Sequence, residues 1–273
     1  MKFDEIKRWS EIKLEILRKY AIPYAKIMSR RNFKFHYIDA FSGAGLHISK
    51  ETGKIVDGSP LRVLKMDISF DSYHFVDLDK DKTGFLRDYC EENHPDRNVK
   101  VKQGDCNEVV DRIVSGMSFD NFDRILCLLD PYGLHLDWKV IEMMGKKGIV
   151  DLILNFPIMD MNRNAIWHDR EKVSESGKTR MTRFWGDDSW RDDAYSRARQ
   201  QELFGEAPLK KQSNEAIVRA FQARLRNVAE FKHVPRPVPM KNSKGPTVYY
   251  LFFASQNATA EKIAKSILKK YAE

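Results

Sequence analysis

A rhythm of short apolar runs constrains this chain more than any other feature. Five such runs, at 34–39, 73–76, 99–102, 124–129 and 149–154, alternate with stretches of helical periodicity. Several, such as Ile125-Leu126-Cys127-Leu128-Leu129, are continuously apolar. A strand apolar on both faces must be covered on both faces, which is the situation of a parallel sheet between layers of helices. Each run also closes on a polar or small residue: Asp39, Asp77, Gly104-Asp105, Asp130, Asn155. Ligands of open α/β sheets bind beyond the carboxyl ends of the strands, so these five ends mark where chemistry is expected.

The flanking segments complete an organisation. Trp9, Ile12, Ile16, Tyr20 and Tyr24 recur at three- and four-residue steps. They predict an amphipathic helix over 4–28, packed on the main domain with its Lys and Arg on the other side, and kinked or divided at Pro23. Residues 46–58 read as a loop or short hairpin, and Ser59 as the N-cap of a helix with Pro60 in first place. Further helices are expected over 80–93, 107–115, 137–146, 213–230 and 258–271. Two strands, 232–240 and 247–253, flank the turn Asn242–Pro246. The domain reading is an N-terminal helix (1–30), a core built from 31–157 and 211–273, and a helical Trp- and Arg-rich insertion (158–210).

Composition narrows the classes. No run of eighteen apolar residues suggests a membrane span, and the N-terminus lacks the apolar centre of a signal peptide, so a cytoplasmic protein is expected. Cys90, Cys106 and Cys127 are scattered without metal-ligand spacing, so neither a disulfide framework nor a metal site is expected. A net charge of +8 favours meeting a polyanion such as RNA or DNA, though weakly by itself.

The turn Asp39-Ala40-Phe41-Ser42-Gly43-Ala44-Gly45 is the strongest motif. Glycines directly after a strand let backbone approach a ligand with no Cβ in the way. A dinucleotide turn would want a third glycine where Ile48 stands, and a helix at once; here a polar loop intervenes. The turn therefore suits an amino-acid nucleoside, with Asp39, Phe41, Gly43 and Gly45 around it, or else is a plain strand-to-helix turn. Asp77 is placed to take ribose hydroxyls or to cap the next helix, with Asp79 a close competitor. Asp105, beside Cys106, could hold an exocyclic amine of adenine. After the fourth strand, Asp130 and the Pro131 carbonyl could accept the hydrogens of a planar amine while Tyr132 stacks on its ring. The alternative there is a simple Asp-Pro turn. The arginines interleaved with Trp167, Phe184, Trp185 and Trp190 suit either a nucleic-acid clamp or a cap with inward tryptophans. His47, His135 and His168 form no recognisable triad.

Together these residues resemble the class I methyltransferases, and more closely the three-Cys-motif partner (TcmP) family of prokaryotes. The resemblance spans nearly the whole chain. It rests on the Trp9–Met28 helix, Tyr37–Gly45, Gly58–Leu61, Phe75–Asp77, Gly104–Asn107, Leu129–Gly133, Leu154–Pro157, Arg183–Gly186 and Val248–Ala254. It implies a Rossmann-like α/β fold with a seven-stranded, mostly parallel sheet, an antiparallel last strand and helices on both faces. It implies S-adenosylmethionine as cofactor, methyl transfer as activity and a three-cysteine-motif protein as partner. Asp130-Pro131-Tyr132 is similar to the Asp/Asn-Pro-Pro-Tyr/Phe signature of amino methyltransferases acting on nucleic-acid bases, with the second proline replaced by Tyr132. Rival expectations are a noncatalytic adaptor on the same fold, and a methyltransferase of small molecules or protein.

Overall fold

The computed structural model describes residues 3–167, 169–197 and 209–271. In chain order the elements begin with β1 (Asp4–Ile6), α1 (Arg8–Arg30), β2 (Lys34–Asp39), β3 (Leu46–Ser49), β4 (Ile55–Asp57) and α2 (Ser59–Leu64). Then come β5 (Ser72–Asp77), α3 (Lys80–Asn93), β6 (Val99–Gln103), α4 (Cys106–Ser115), β7 (Asp123–Leu129), α5 (Trp138–Lys147) and β8 (Val150–Phe156). The remainder is α6 (Ile158–Asn164), α7 (Glu175–Trp185), α8 (Trp190–Ala194), β9 (Tyr195–Arg197), β10 (Leu209–Lys211), α9 (Asn214–Asn227), β11 (Val238–Lys241), β12 (Thr247–Ala254) and α10 (Ala258–Leu268).

Seven strands form one sheet in the order β11-β12-β8-β7-β2-β5-β6. The five predicted strands run parallel, and β12 enters antiparallel to both β8 and β11. This is a Rossmann-like α/β fold, with the seven-stranded, mostly parallel sheet that was expected. Successive residues of each central strand enter opposite layers, as the two-residue period of a strand requires. Tyr37, Leu126, Leu128, Ile153 and Phe253 join the layer containing α1, α2, α3 and α10. Ile38, Ile125, Cys127, Leu152 and Phe252 join the layer with α4, α5, α7 and α9. Continuous apolar runs therefore arise because both faces are buried.

Several local expectations are corrected. Residues 4–6 are a strand, not helix: β1 pairs in parallel with β3, which forms a hairpin with β4. Pro23 does not divide α1, which is assigned continuously over 23 residues. Gly58, not Ser59, is the N-cap of α2, and Ser59 occupies its first turn beside Pro60. The penultimate strand covers only Val238–Lys241, because Pro235 and Pro237 lack the N–H a ladder needs. Pro239 is tolerated because β11 is an edge strand. Lys13 does not lie on the outer side of α1; it is 7 % exposed.

Among the described residues the segment after β8 holds three α-helices, one short 3-10 turn (Arg170–Lys172) and the two-stranded β9–β10 pair. Phe184, Trp185 and Trp190 point into the same apolar layer as Phe156, Phe221 and Phe252, while Trp167 is partly exposed. Within the described residues the inward-facing alternative for these aromatics is the one the structure adopts. His168 lies outside the described residues, as do 198–208. No helix among the described residues is long and apolar enough to cross a membrane.

Candidate functional site

The sheet order reverses direction between β2 and β7, since the chain builds outward from β2 to β5 and β6, then returns to add β7 and β8. Such a switch point opens a crevice, because the two connections leave in opposite directions. A cleft of about 380 Å³ lies there. Phe41, Ser42 and Gly43 from the end of β2, and Asp130, Pro131, Tyr132 and Gly133 from the end of β7, line it together. Asn155 of β8, Asp160 of α6, and Trp9 and Lys13 of α1 close the remaining walls.

The turn after β2 has two left-handed glycines. Gly43 and Gly45 have φ of +59° and +76°, a region that side chains with a Cβ disfavour. Their surroundings differ. A Cβ on Gly45 would lie 2.7 Å from Leu86 Cδ1, so that glycine also permits α3 to pack closely. A Cβ on Gly43 would meet open space. The turn is pinned from the neighbouring strand: Gly43 N–H donates to Asp77 Oδ2 at 2.8 Å, and Asp79 N–H donates to Asp77 Oδ1 at 3.0 Å. Asp79, not Asp77, caps α3, accepting from the Asp81 and Lys82 amides. The alternative that Asp77 merely caps this helix is therefore not the one the structure adopts.

Asp39 is completely buried at the base of the turn. Its oxygens accept weakly from the Tyr37 hydroxyl at 3.3 Å and the Phe41 amide at 3.4 Å. Burial pushes its carboxyl up to about 7, a rise that Ser59 opposes and the nearby Asp130 charge reinforces. Asp105 is exposed and caps α4 through the Asn107 amide; neither it nor Asp77 lines the cleft. Cys106 is buried in the apolar layer, which pushes its thiol up to about 12. Asn107, which the sequence reading carries only as the end of the Gly104–Asn107 motif and gives no role, ties the loop after β7 to α4: it donates to the His135 carbonyl and accepts from the Asp137 amide.

Asp130 is the best-connected residue of the cleft. Its carboxylate forms an ion pair with Lys13 and accepts from Asn155 Nδ2 at 2.6 Å. Lys13 Nζ also stands 5.8 Å from the centre of the Tyr249 ring. Sequence reasoning missed Lys13, although one signal existed: it falls four residues after Trp9 and four before Leu17, on the inward stripe of α1. Tyr132 is 60 % exposed at the lip, with Lys82 Nζ 5.8 Å from its ring centre. Gly133 (φ +60°) faces Asp160, whose Oδ2 would be 2.7 Å from a Cβ there. Four lining residues carry a buried polar atom with no hydrogen-bond partner among the described residues: Ser42 Oγ, His47 Nδ1, Asn155 Oδ1 and Asp160 Oδ2. Native proteins leave few such atoms unsatisfied, so their gathering in one cleft distinguishes it from a packing defect.

No family model matches the sequence. No curated protein matches it either. Solved structures do. Protein LPL1258 from Legionella pneumophila str. Philadelphia 1, described under the family model DUF519, superposes with a TM-score of 0.53 at 11 % identity. The match covers 94 % of this chain and 92 % of that one. A complex of Trm1 from Pyrococcus horikoshii with S-adenosyl-L-methionine matches with a TM-score of 0.46 and 11 % identity, over 90 % of this chain and 56 % of that one. An S-adenosylmethionine-dependent methyltransferase from Clostridium acetobutylicum ATCC 824 matches at 0.41 and 12 %, over 88 % and 92 %. At these identities the likeness is one of fold.

Proposed function

We propose that this chain is an S-adenosylmethionine-dependent methyltransferase acting on an amino nitrogen, with a nucleic-acid base as the acceptor class. The observation that carries the reading is the position of one cleft at the sheet's switch point, with the glycine turn on one side and Asp130-Pro131-Tyr132 on the other. The residues present fit the cofactor. Gly43 leaves open space where a Cβ would stand, Ser42 Oγ lacks a partner, and Asp39 is a buried acceptor below the turn. Asp77 and Asp105, at the ends of the next two strands and outside the cleft lining, would serve the ribose and the base of a cofactor extending past the glycine turn toward β5 and β6. When bound, the cofactor supplies an electrophilic methyl group.

The chain's own contribution is then positioning and charge. An ionised carboxylate offers about four lone-pair directions, and Lys13 and Asn155 use two of those on Asp130. The remainder, with the Pro131 carbonyl, would accept the hydrogens of an acceptor amine and leave its lone pair free to attack. The exposed Tyr132 ring would stack on a base turned into the cleft, and the net charge of +8 would assist approach to phosphates. A partner with the three-cysteine motif would help to present the acceptor.

One observation favours a second acceptor class. Asp4, Glu5, Asp130 and Asp160 outnumber Lys13 and Arg163 in the lining, which suits a compact cationic amine better than a polyanion. Calorimetry with S-adenosylmethionine and S-adenosylhomocysteine, followed by tritiated-methyl transfer to bulk RNA, DNA, protein and small amines, separates these readings. Binding with transfer to RNA or DNA that is lost in Asp130→Asn is the expected result. Transfer only to small amines would install the second class, and absence of binding would remove the enzyme reading in favour of an adaptor.

A further inference from the structure

The opposite end of the sheet holds a second cleft of about 640 Å³, between α1 and α10 at the amino ends of β7 and β8. It shares no lining residue with the candidate methyl-transfer cleft. Arg124, at the start of β7, has its guanidinium over the rings of Phe33 and Phe119, 4.1 and 4.3 Å from their centres. Such contacts hold the cation against aromatic surface, and a planar partner is met by its N–H edge. One edge nitrogen, Nη1, donates to the Asp123 carbonyl at 2.6 Å. No carboxylate among the described residues lies within ion-pair distance of Arg124.

Beside it, Tyr24 is only 3 % exposed, and its hydroxyl has no hydrogen-bond partner among the described residues. A buried phenol in that state lacks an acceptor it is built to find. The neighbouring Asp151 does not supply one. Its two oxygens accept from the Tyr20 and Ser255 hydroxyls, at 2.6 and 2.5 Å. Arg31 and Lys232 add positive charge to the rim against Glu230 and Asp151, Lys146 being paired with Glu142, and Ile27, Met28, Ile149, Ala260 and Ile263 supply apolar wall.

We infer that this cleft binds a small carboxylate with an apolar body, its head on the Arg124 edge and the Tyr24 hydroxyl. A carboxylate matches the guanidinium edge in plane and can accept the phenol proton, while an apolar tail finds the wall between α1 and α10. The volume lies within the ordinary range of small-molecule sites. The inference is independent of the methyl-transfer reading, because it uses none of that cleft's residues.

Calorimetry of the full chain with octanoate and phenylacetate tests it, using octylamine and inorganic phosphate for comparison. Saturable binding of at least one carboxylate, with the amine and phosphate at least about tenfold weaker, is expected. Arg124→Met should weaken binding about tenfold or more, and Tyr24→Phe severalfold, with unchanged circular dichroism. Should Arg124→Met not fold, Arg124→Lys keeps the charge without the planar fork and should still weaken binding. The inference is overturned if neither carboxylate binds, if octylamine or phosphate binds as tightly, or if both folded variants bind like the parent.

Discussion

Asp39, buried under the glycine turn, and the Lys13–Asp130 pair in the cleft wall carry opposite electrostatic situations, and each yields a measurable consequence. Asp39 is completely buried, and burial pushes its carboxyl up to about 7, well above its ordinary 3.8, against the lowering effect of Ser59. Between those values the folded chain keeps a proton that the unfolded chain has released. The stability this group contributes is therefore fully present at low pH and is lost as pH rises through about 7. A cationic ligand group beside Asp39 has the reverse preference, because it favours the ionised form. The affinity for S-adenosylhomocysteine should thus rise between roughly pH 6 and pH 8, and Asp39→Asn should flatten that rise. A flat profile in the parent protein would separate Asp39 from the ligand. Lys13 and Asp130 form a pair whose side chains are 9 % and 25 % exposed. Removing one partner strands the other's charge, so Lys13→Met should cost about 3 kcal/mol in urea unfolding. Combining it with Asp130→Asn should restore part of the loss, since that charge is then gone.

At the scale of elements, glycines that look equivalent in the sequence do different work. Gly43 has a left-handed backbone with open space around a Cβ, whereas Gly145 of α5 would place a Cβ only 1.8 Å from the Ala229 carbonyl oxygen. Gly43→Ala should therefore cost only about 1–2 kcal/mol in stability yet weaken cofactor binding. Gly145→Ala should cost at least about 1–3 kcal/mol through overpacking and leave binding per folded molecule unchanged. Chemical denaturation and calorimetry on the two variants would test the contrast; matched effects on both readouts would defeat it. The same distinction explains what the sequence made legible. Strands β2, β5, β6, β7 and β8 announced themselves because burial on both faces demands apolar runs, and of their polar ends Asp130 and Asn155 line the candidate cleft. Residues 4–6 did not, because a three-residue strand pairing with β3 has no period long enough to read. Lys13 stayed hidden because its partner, Asp130, is 117 residues away. The work of Asn107, holding the loop at 135–137, is likewise a long-range contact without a local pattern.

At the scale of the molecule, the segment after β8 and the sheet are built around one aromatic cluster. Phe221 of α9 stands 4.5 Å from Phe156 of β8 and 5.4 Å from Phe252 of β12, between ring centres. It stands 5.8 Å from Phe184 and 5.5 Å from Trp185 of α7. Among the described residues the helices after β8 therefore have no apolar core apart from the sheet's; their aromatics complete it. Elements that share a core lose it together, because opening one exposes the apolar surface of the other. Tryptophan fluorescence in a Trp9→Phe, Trp138→Phe, Trp167→Phe background, which leaves Trp185 and Trp190 as reporters, should accordingly follow the same urea transition as far-ultraviolet circular dichroism, which reports the helices throughout the chain. Phe221→Ala should move both curves together, by about 3–5 kcal/mol, because the cavity it leaves borders sheet and insertion alike. If fluorescence changed at lower urea than circular dichroism in that background, or if the variant moved only the fluorescence curve, the helices after β8 would be a separate cooperative unit resting on the sheet.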